Sequence, residues 1–71
     1  MKTQIKELRR EMGISQDELA KAVKVSRQTI ISIENEKYIA SLPLAYKISR
    51  YFNKQIEEVF DFSEVDNDEK I

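Results

Sequence analysis

Arg27, Gln28, Ile31 and Ser32 are the residues whose types and spacing can do chemistry. Ser26 reads as the N-cap of a helix that runs to Glu34 or Asn35. At about 100° per residue, and with Arg27 at zero, Ile31 falls near 40°, Gln28 near 100° and Ser32 near 140°. Ile30 and Ile33 fall on the opposite side, facing inward with Val25. The outward face therefore carries a guanidinium fork, a carboxamide, a hydroxyl and one branched apolar group. A guanidinium can grip guanine O6 and N7, and a carboxamide can grip adenine N6 and N7. A hydroxyl bonds either kind of base, and an isoleucine can meet a thymine methyl. Arg and Gln are also ordinary solvent-facing residues on helices. Ile31 is the odd member of such a face, because water is a poor place for it.

Other chemistries have little material to work with. The chain has no Cys and no His, so disulfides, thiolate metal sites, a Cys nucleophile and the usual general base are excluded. Its single glycine, Gly13, rules out a glycine-rich phosphate loop. Tyrosines and carboxylates occur, but no nucleophile–base arrangement or metal cluster does. No catalytic residue, metal or cofactor is expected, and the protein reads as a binding module rather than an enzyme.

The elements that position this face follow from spacing and caps. Hydrophobic residues at 41% and charged residues at 35% suit a helix-rich globule of one domain. In the first segment, Thr3 is expected to cap a helix with Ile5, Leu8 and Met12 on one side, and Gly13 to stop it. Ser15–Gln16–Asp17–Glu18 reads as a capping box that opens a second helix, with Leu19, Ala20 and Val23 buried. Only Lys24 and Val25 separate this helix from Ser26. So short a connection cannot make antiparallel neighbours and forces a sharp corner, as in a helix-turn-helix unit. Ala20 is small where the two helices approach, and Val25 plugs the corner from inside. Ser41 caps a fourth helix with Pro43 in its first turn; Leu44, Ile48, Tyr51 and Phe52 recur along it, and Asn53 ends it. Residues 55–60 predict a last short helix with Ile56, Val59 and Phe60 closing the core. The expected fold is all-α, five helices, with residues 1–62 as the domain and 63–71 as an acidic, flexible tail.

Residues that could hold a nucleic-acid backbone flank the reading helix. Gln16 and Ser26 stand before it, where a helix start and its amides attract phosphate. Asn35, Lys37 and Tyr38 follow it and can grip the other side. Arg9 on the first helix and Glu34 at the end of the third are the candidates for a structural ion pair that fixes the reading helix against the scaffold.

The net charge of −1 conceals an asymmetry. Residues 1–60 hold eleven Lys/Arg against eight Asp/Glu, giving +3; residues 61–71 hold five acids against Lys70, giving −4. A mildly basic body with an acidic end is compatible with a polyanion ligand and equally with an ordinary solvated surface. No apolar run approaches the roughly 20 residues a membrane span needs, and no signal-peptide core follows Met1. A cytoplasmic, nucleoid-associated protein is expected.

The strings LRREMGISQDELAKAVKVSRQTIISIENEKY and SLPLAYKISRYFNKQIEEVF resemble the phage-repressor and Cro-like helix-turn-helix family, often called XRE. The resemblance runs from Ile5 to Phe60. It implies a five-helix, lambda-repressor-like DNA-binding domain with the helix-turn-helix at its second and third helices. It further implies double-stranded operator DNA as ligand, a homodimer on a two-fold-related site, and a transcriptional regulator, in the first place a repressor. Arg27, Gln28 and Ser32 match base-reading positions; Gln16, Asn35 and Lys37 match backbone-contacting ones; Arg9 and Glu34 match a structural ion pair of some members. Lys24 stands where the family often has Gly. A left-handed backbone there costs a non-Gly residue about 1 kcal/mol, so the corner is either strained or altered in shape. Glu36 replaces another frequent Gly and puts a negative charge near the expected phosphate path, which predicts moderate affinity.

A second reading is an antitoxin-like or anti-activator protein whose main ligand is another protein, wrapped by the acidic tail through Phe60, Phe62 and Val65. For a homodimer contact, Ile56, Phe60 and Phe62 are available, although Ile56 and Phe60 can equally complete the monomer's own core.

Overall fold

The computed structural model describes residues 1–63. Five helices follow one another: α1 (Ile5–Met12), α2 (Gln16–Ala22), α3 (Arg27–Glu34), α4 (Leu42–Tyr51) and α5 (Ile56–Val59). The three serines read as caps all act as caps. Ser15 accepts from the Glu18 amide at 3.0 Å while Glu18 accepts from the Ser15 amide at 2.8 Å, completing the capping box. Ser26 accepts from the Thr29 amide at 3.2 Å and Ser41 from the Leu44 amide at 3.3 Å. Each bond satisfies a donor that a helix start otherwise leaves free.

The helix ends repeat one device. After α1, Gly13 is left-handed (φ 71°) and Ile14 donates back to the Arg9 carbonyl at 3.1 Å. After α2, Lys24 is left-handed (φ 61°) and Val25 donates to the Ala20 carbonyl at 3.0 Å. After α3, Glu36 (φ 64°) precedes Lys37, which donates to the Ser32 carbonyl at 2.9 Å. After α4, Asn53 (φ 57°) precedes Lys54, which donates to the Ser49 carbonyl at 2.9 Å. All four are Schellman stops, in which one left-handed residue turns the chain, and its own amide and that of the next residue satisfy terminal carbonyls. Of the two possibilities for Lys24, strain or altered shape, the corner takes the left-handed, strained one.

The core is built from Ile5, Leu19, Ala20, Val23, Ile30, Ile33, Leu44, Ala45, Ile48, Phe52, Val59 and Phe60. Every helix contributes to it. Val25, half-buried, packs against it from the corner, and α2 rests chiefly on α3. Ser49 is buried among these apolar groups, and its hydroxyl is satisfied by donating to the Ala45 carbonyl at 2.9 Å.

Three expectations need correction. Thr3 is not the N-cap of α1; Gln4 holds that position without a side-chain bond, and the Thr3 hydroxyl accepts weakly from the Ile5 amide at 3.3 Å. The reason is long-range: Thr3 pairs with Phe60 in an antiparallel bridge, with Gln4 donating to Val59 and Asp61 donating to Lys2. The same bridge draws Phe60 into an extended conformation (φ −113°, ψ 131°) and ends α5 at Val59, one residue early. Met12, placed on the buried side by its spacing, is 50% exposed, because the chain leaves the core at the Gly13 turn. Phe60 is core, and Ile56 and Phe62 are partly buried against it. The second reading therefore loses Phe60 as an anchor for a wrapping tail, and Val65 lies outside the described residues along with the rest of 64–71.

Candidate nucleic-acid interface

Helix α3 presents its outward face as the wheel requires. Ile30 and Ile33 are fully buried, whereas Arg27 and Gln28 are exposed. Ile31 and Ser32 are half-buried rather than open. Ile31 is thus less anomalous than its sequence position suggests, and its remaining exposed surface lies on the face that would meet a ligand. Gln28 directs its amide toward the Ser32 hydroxyl at 3.4 Å, a long contact that leaves most of its hydrogen-bonding capacity unspent.

A shallow depression on this face is lined by Ser26, Gln28, Thr29, Ser32 and Tyr38. It brings the loop residue Tyr38 beside the reading helix, as a flanking contact demands. Thr29 is an unforeseen member: it serves the N-terminal turn, its hydroxyl lying 3.0 Å from that of Ser26. The Ser26 hydroxyl already accepts from the Thr29 amide, so its capping duty competes with any contact to a phosphate. Asn35 is the C-cap of α3, and Asn35, Glu36 and Lys37 are all exposed. Glu36 stands between the two expected grips.

Gln16 is held differently from the simple phosphate donor expected. Its amide donates to Glu34 Oε1 at 3.1 Å. Glu34 in turn receives Arg9 through Nε at 2.7 Å and Nη2 at 3.1 Å, and Arg9 Nη1 reaches the Ile14 carbonyl at 3.2 Å. The expected Arg9–Glu34 pair therefore exists and is bidentate, with side chains 13% and 5% exposed. One carboxylate ties α1, α2 and α3 together at the C-terminal end of the reading helix. Removing both charges from water is costly, and the extra bonds to Gln16 and Ile14 offset that cost. No buried side-chain nitrogen or oxygen among the described residues lacks a partner. One amide hydrogen of Gln16 remains for an outside acceptor. A second depression, lined by Arg9, Ser15, Gln16, Asp17 and Arg27, puts that amide near a guanidinium of the reading helix. Asp17 in it is paired with Lys21 at 3.3 Å.

Away from this face, the Asp61 carboxyl lies below its ordinary range, chiefly because the Ser63 amide donates to it at 2.9 Å. No group of three or more acidic side chains capable of holding a metal occurs among the described residues. No helix among them is long and apolar enough to cross a membrane.

Comparison with known proteins bears on the family and the fold. The helix-turn-helix family model matches residues 5–59. An HTH-type transcriptional regulator of Archaeoglobus fulgidus is 53% identical over 64 residues, covering 90% of each chain. An HTH-type transcriptional regulator of Methanocaldococcus jannaschii is 45% identical over 64 residues, covering 90% of this chain and 97% of that one. One from Bacillus subtilis is 47% identical over 60 residues, covering 84% and 91%. Among solved structures, the clp gene regulator ClgR from Corynebacterium glutamicum superposes with a TM-score of 0.71 at 20% identity. It matches 76% of this chain, which spans 57% of that chain's length, and it supports the fold alone.

Proposed function

The chain belongs to the helix-turn-helix family of transcriptional regulators, and on that premise we propose that it is a sequence-specific repressor that inserts α3 into the major groove of operator DNA as a homodimer. The observation that carries the proposal is the exposure of Arg27 and Gln28 on a helix whose opposite face is wholly buried and whose C-terminal end is locked by Glu34. A reading helix must hold its register to within a fraction of a base pair. Here the Ser26 cap fixes one end and the Arg9–Glu34–Gln16 network fixes the other.

In this reading Arg27, Gln28 and Ser32 bond base edges, and Ile31 offers its exposed edge to a thymine methyl. Gln16 with its free amide hydrogen, Ser26, Asn35, Lys37 and Tyr38 hold phosphates on either side. Arg9 and Glu34 are positioning residues whose groups are spent within the protein. One such domain reads few base pairs, so useful discrimination calls for two half-sites and two copies. Repression needs only occupancy of the operator. The ligand would put the protein at the nucleoid, in the cytoplasm.

The test is binding to duplex DNA as salt is raised. Neutralising several phosphates makes affinity fall steeply, with a slope near −0.9 per phosphate, roughly, on logarithmic axes. A flat response, or no binding to any duplex after site selection with the purified protein, would remove DNA as the ligand.

A further inference from the structure

Gln16 has two hydrogen-bonding ends, and the folded protein engages only one of them. Its Nε2 donates to Glu34 Oε1 at 3.1 Å. Glu34 also accepts from Arg9, through Nε at 2.7 Å and Nη2 at 3.1 Å. An ionised carboxylate offers lone pairs and no hydrogen. Turning the Gln16 carboxamide round would set its oxygen against those of Glu34, so the network admits one orientation. Oε1 of Gln16 therefore points away from Glu34. It makes no bond within the described residues, and it faces solvent, since no buried side-chain oxygen among them lacks a partner.

The depression into which Gln16 opens is shared with Arg27. The two are the first residues of α2 and α3, and they line it together with Arg9, Ser15 and Asp17. Arg9 is engaged with Glu34 and the Ile14 carbonyl, Ser15 with the Glu18 amide, and Asp17 with Lys21 at 3.3 Å. Arg27 is exposed and has no ion-pair partner among the described residues. An unpartnered acceptor and an unpartnered cation thus border the same space.

We propose that the buried Glu34 sets the base preference of Arg27, acting through Gln16. With its Nε2 side held by Glu34, Gln16 accepts one Arg27 N–H on Oε1 when α3 enters the groove. A guanidinium has five N–H groups, and guanine O6 and N7 occupy two of them. An acceptor behind the fork fixes its plane and engages a hydrogen that otherwise reaches for the nearest phosphate. Arg27 then selects a guanine instead of holding the backbone whatever the sequence. The second Nε2 hydrogen of Gln16 stays available for a phosphate. Glu34 and Gln16 are positioning residues in this scheme. The inference rests on the reading of base edges by Arg27 and gives a buried carboxylate a part in specificity besides its part in stability.

The experiment is site selection with the full chain, followed by equilibrium binding to the selected duplex and to each of its single-base variants. Arg27→Ala identifies the base pair that Arg27 reads, as the position where preference is lost. Gln16→Met keeps the length of the side chain and the Arg9–Glu34 pair but removes the carboxamide. It should lower the preference for guanine at that pair about tenfold and leave the other positions as they were. The lost phosphate bond should weaken all duplexes by one common factor, which cancels from the preference. Glu34→Gln can donate to Gln16 Oε1, which frees the carboxamide to turn round, and should blunt the same position. Circular dichroism at the assay temperature checks that this variant is folded. In the Arg27→Ala background, Gln16→Met should change no preference further. An intact guanine preference in Gln16→Met, with every duplex weakened alike, would overturn the proposal and leave Gln16 as a phosphate contact. Because that variant keeps the buried pair, the result stands even if Glu34→Gln does not fold. An Arg27→Ala profile with no position lost would remove Arg27 as a reader, and this inference with it.

Discussion

The two turns that flank the reading helix use the same left-handed stop as the ends of α1 and α4, but with different residues. Gly13 and Asn53 are types that enter that conformation cheaply. Lys24 and Glu36, on either side of α3, are not. Glycine in left-handed backbone costs nothing extra, whereas a lysine or glutamate costs about 1 kcal/mol. Among the described residues, the left-handed positions held by residues other than Gly and Asn therefore lie at the two boundaries of α3, the proposed reading helix, where the Arg9–Glu34–Gln16 network and the Ser26 cap hold the helix in place. Strain at a functional site persists only where the surroundings over-determine the geometry. Around α3 those surroundings are the buried Ile30 and Ile33, the Glu34 carboxylate with its donors Arg9 and Gln16, and the Ser26 hydroxyl.

Substitutions can break or sharpen that contrast. The largest effect is expected at the lock. Glu34→Ala leaves the Arg9 guanidinium nearly buried and unpaired and should cost about 3 kcal/mol in urea unfolding. A cost below about 1 kcal/mol, the range of an exposed pair, would mean that the network does not hold the strained ends. Gly13→Ala comes next, at about 1–2 kcal/mol destabilising. A Cβ there meets open space, so the whole cost is conformational. Lys24→Gly and Glu36→Gly should change stability in the opposite direction, each raising it by about 0.5–1 kcal/mol. Glu36→Gly should also tighten DNA binding by removing a negative charge between Asn35 and Lys37. Loss of stability at both positions would contradict the claim of strain. Asn53→Gly should alter the melting transition least, by a few tenths of a kcal/mol, roughly, because Asn already tolerates the conformation.

Much of this molecule was legible because its signals are local. Ser15, Ser26 and Ser41 were readable as caps from their positions before apolar periodicity, and the corner from the two residues, Lys24 and Val25, between Val23 and the Ser26 cap. The face that Arg27 and Gln28 share follows from helical geometry once Ser26 is placed. What could not be read depends on contacts between distant residues. Nothing near Thr3 announces its bridge to Phe60, and that bridge decides both the start of α1 and the end of α5. Met12 fits the buried side by spacing, but spacing does not say where the core stops. Gln16 has the type and position of a phosphate donor; its bond to Glu34, eighteen residues away, appears only when three helices are assembled. The exposed stripe of Leu42 and Tyr46 was hidden for the opposite reason, since apolar residues in a helix are assumed to face inward until the core is seen to be complete without them.

The central claim is that α3 reads base sequence through Arg27 and Gln28. Its most direct test compares Gln28→Ala with the wild type on a selected operator and on random duplex at one salt concentration. A loss of about 1–3 kcal/mol on the operator, with nonspecific affinity unchanged, is the expected result. Equal losses on both DNAs, or none on either, would contradict it.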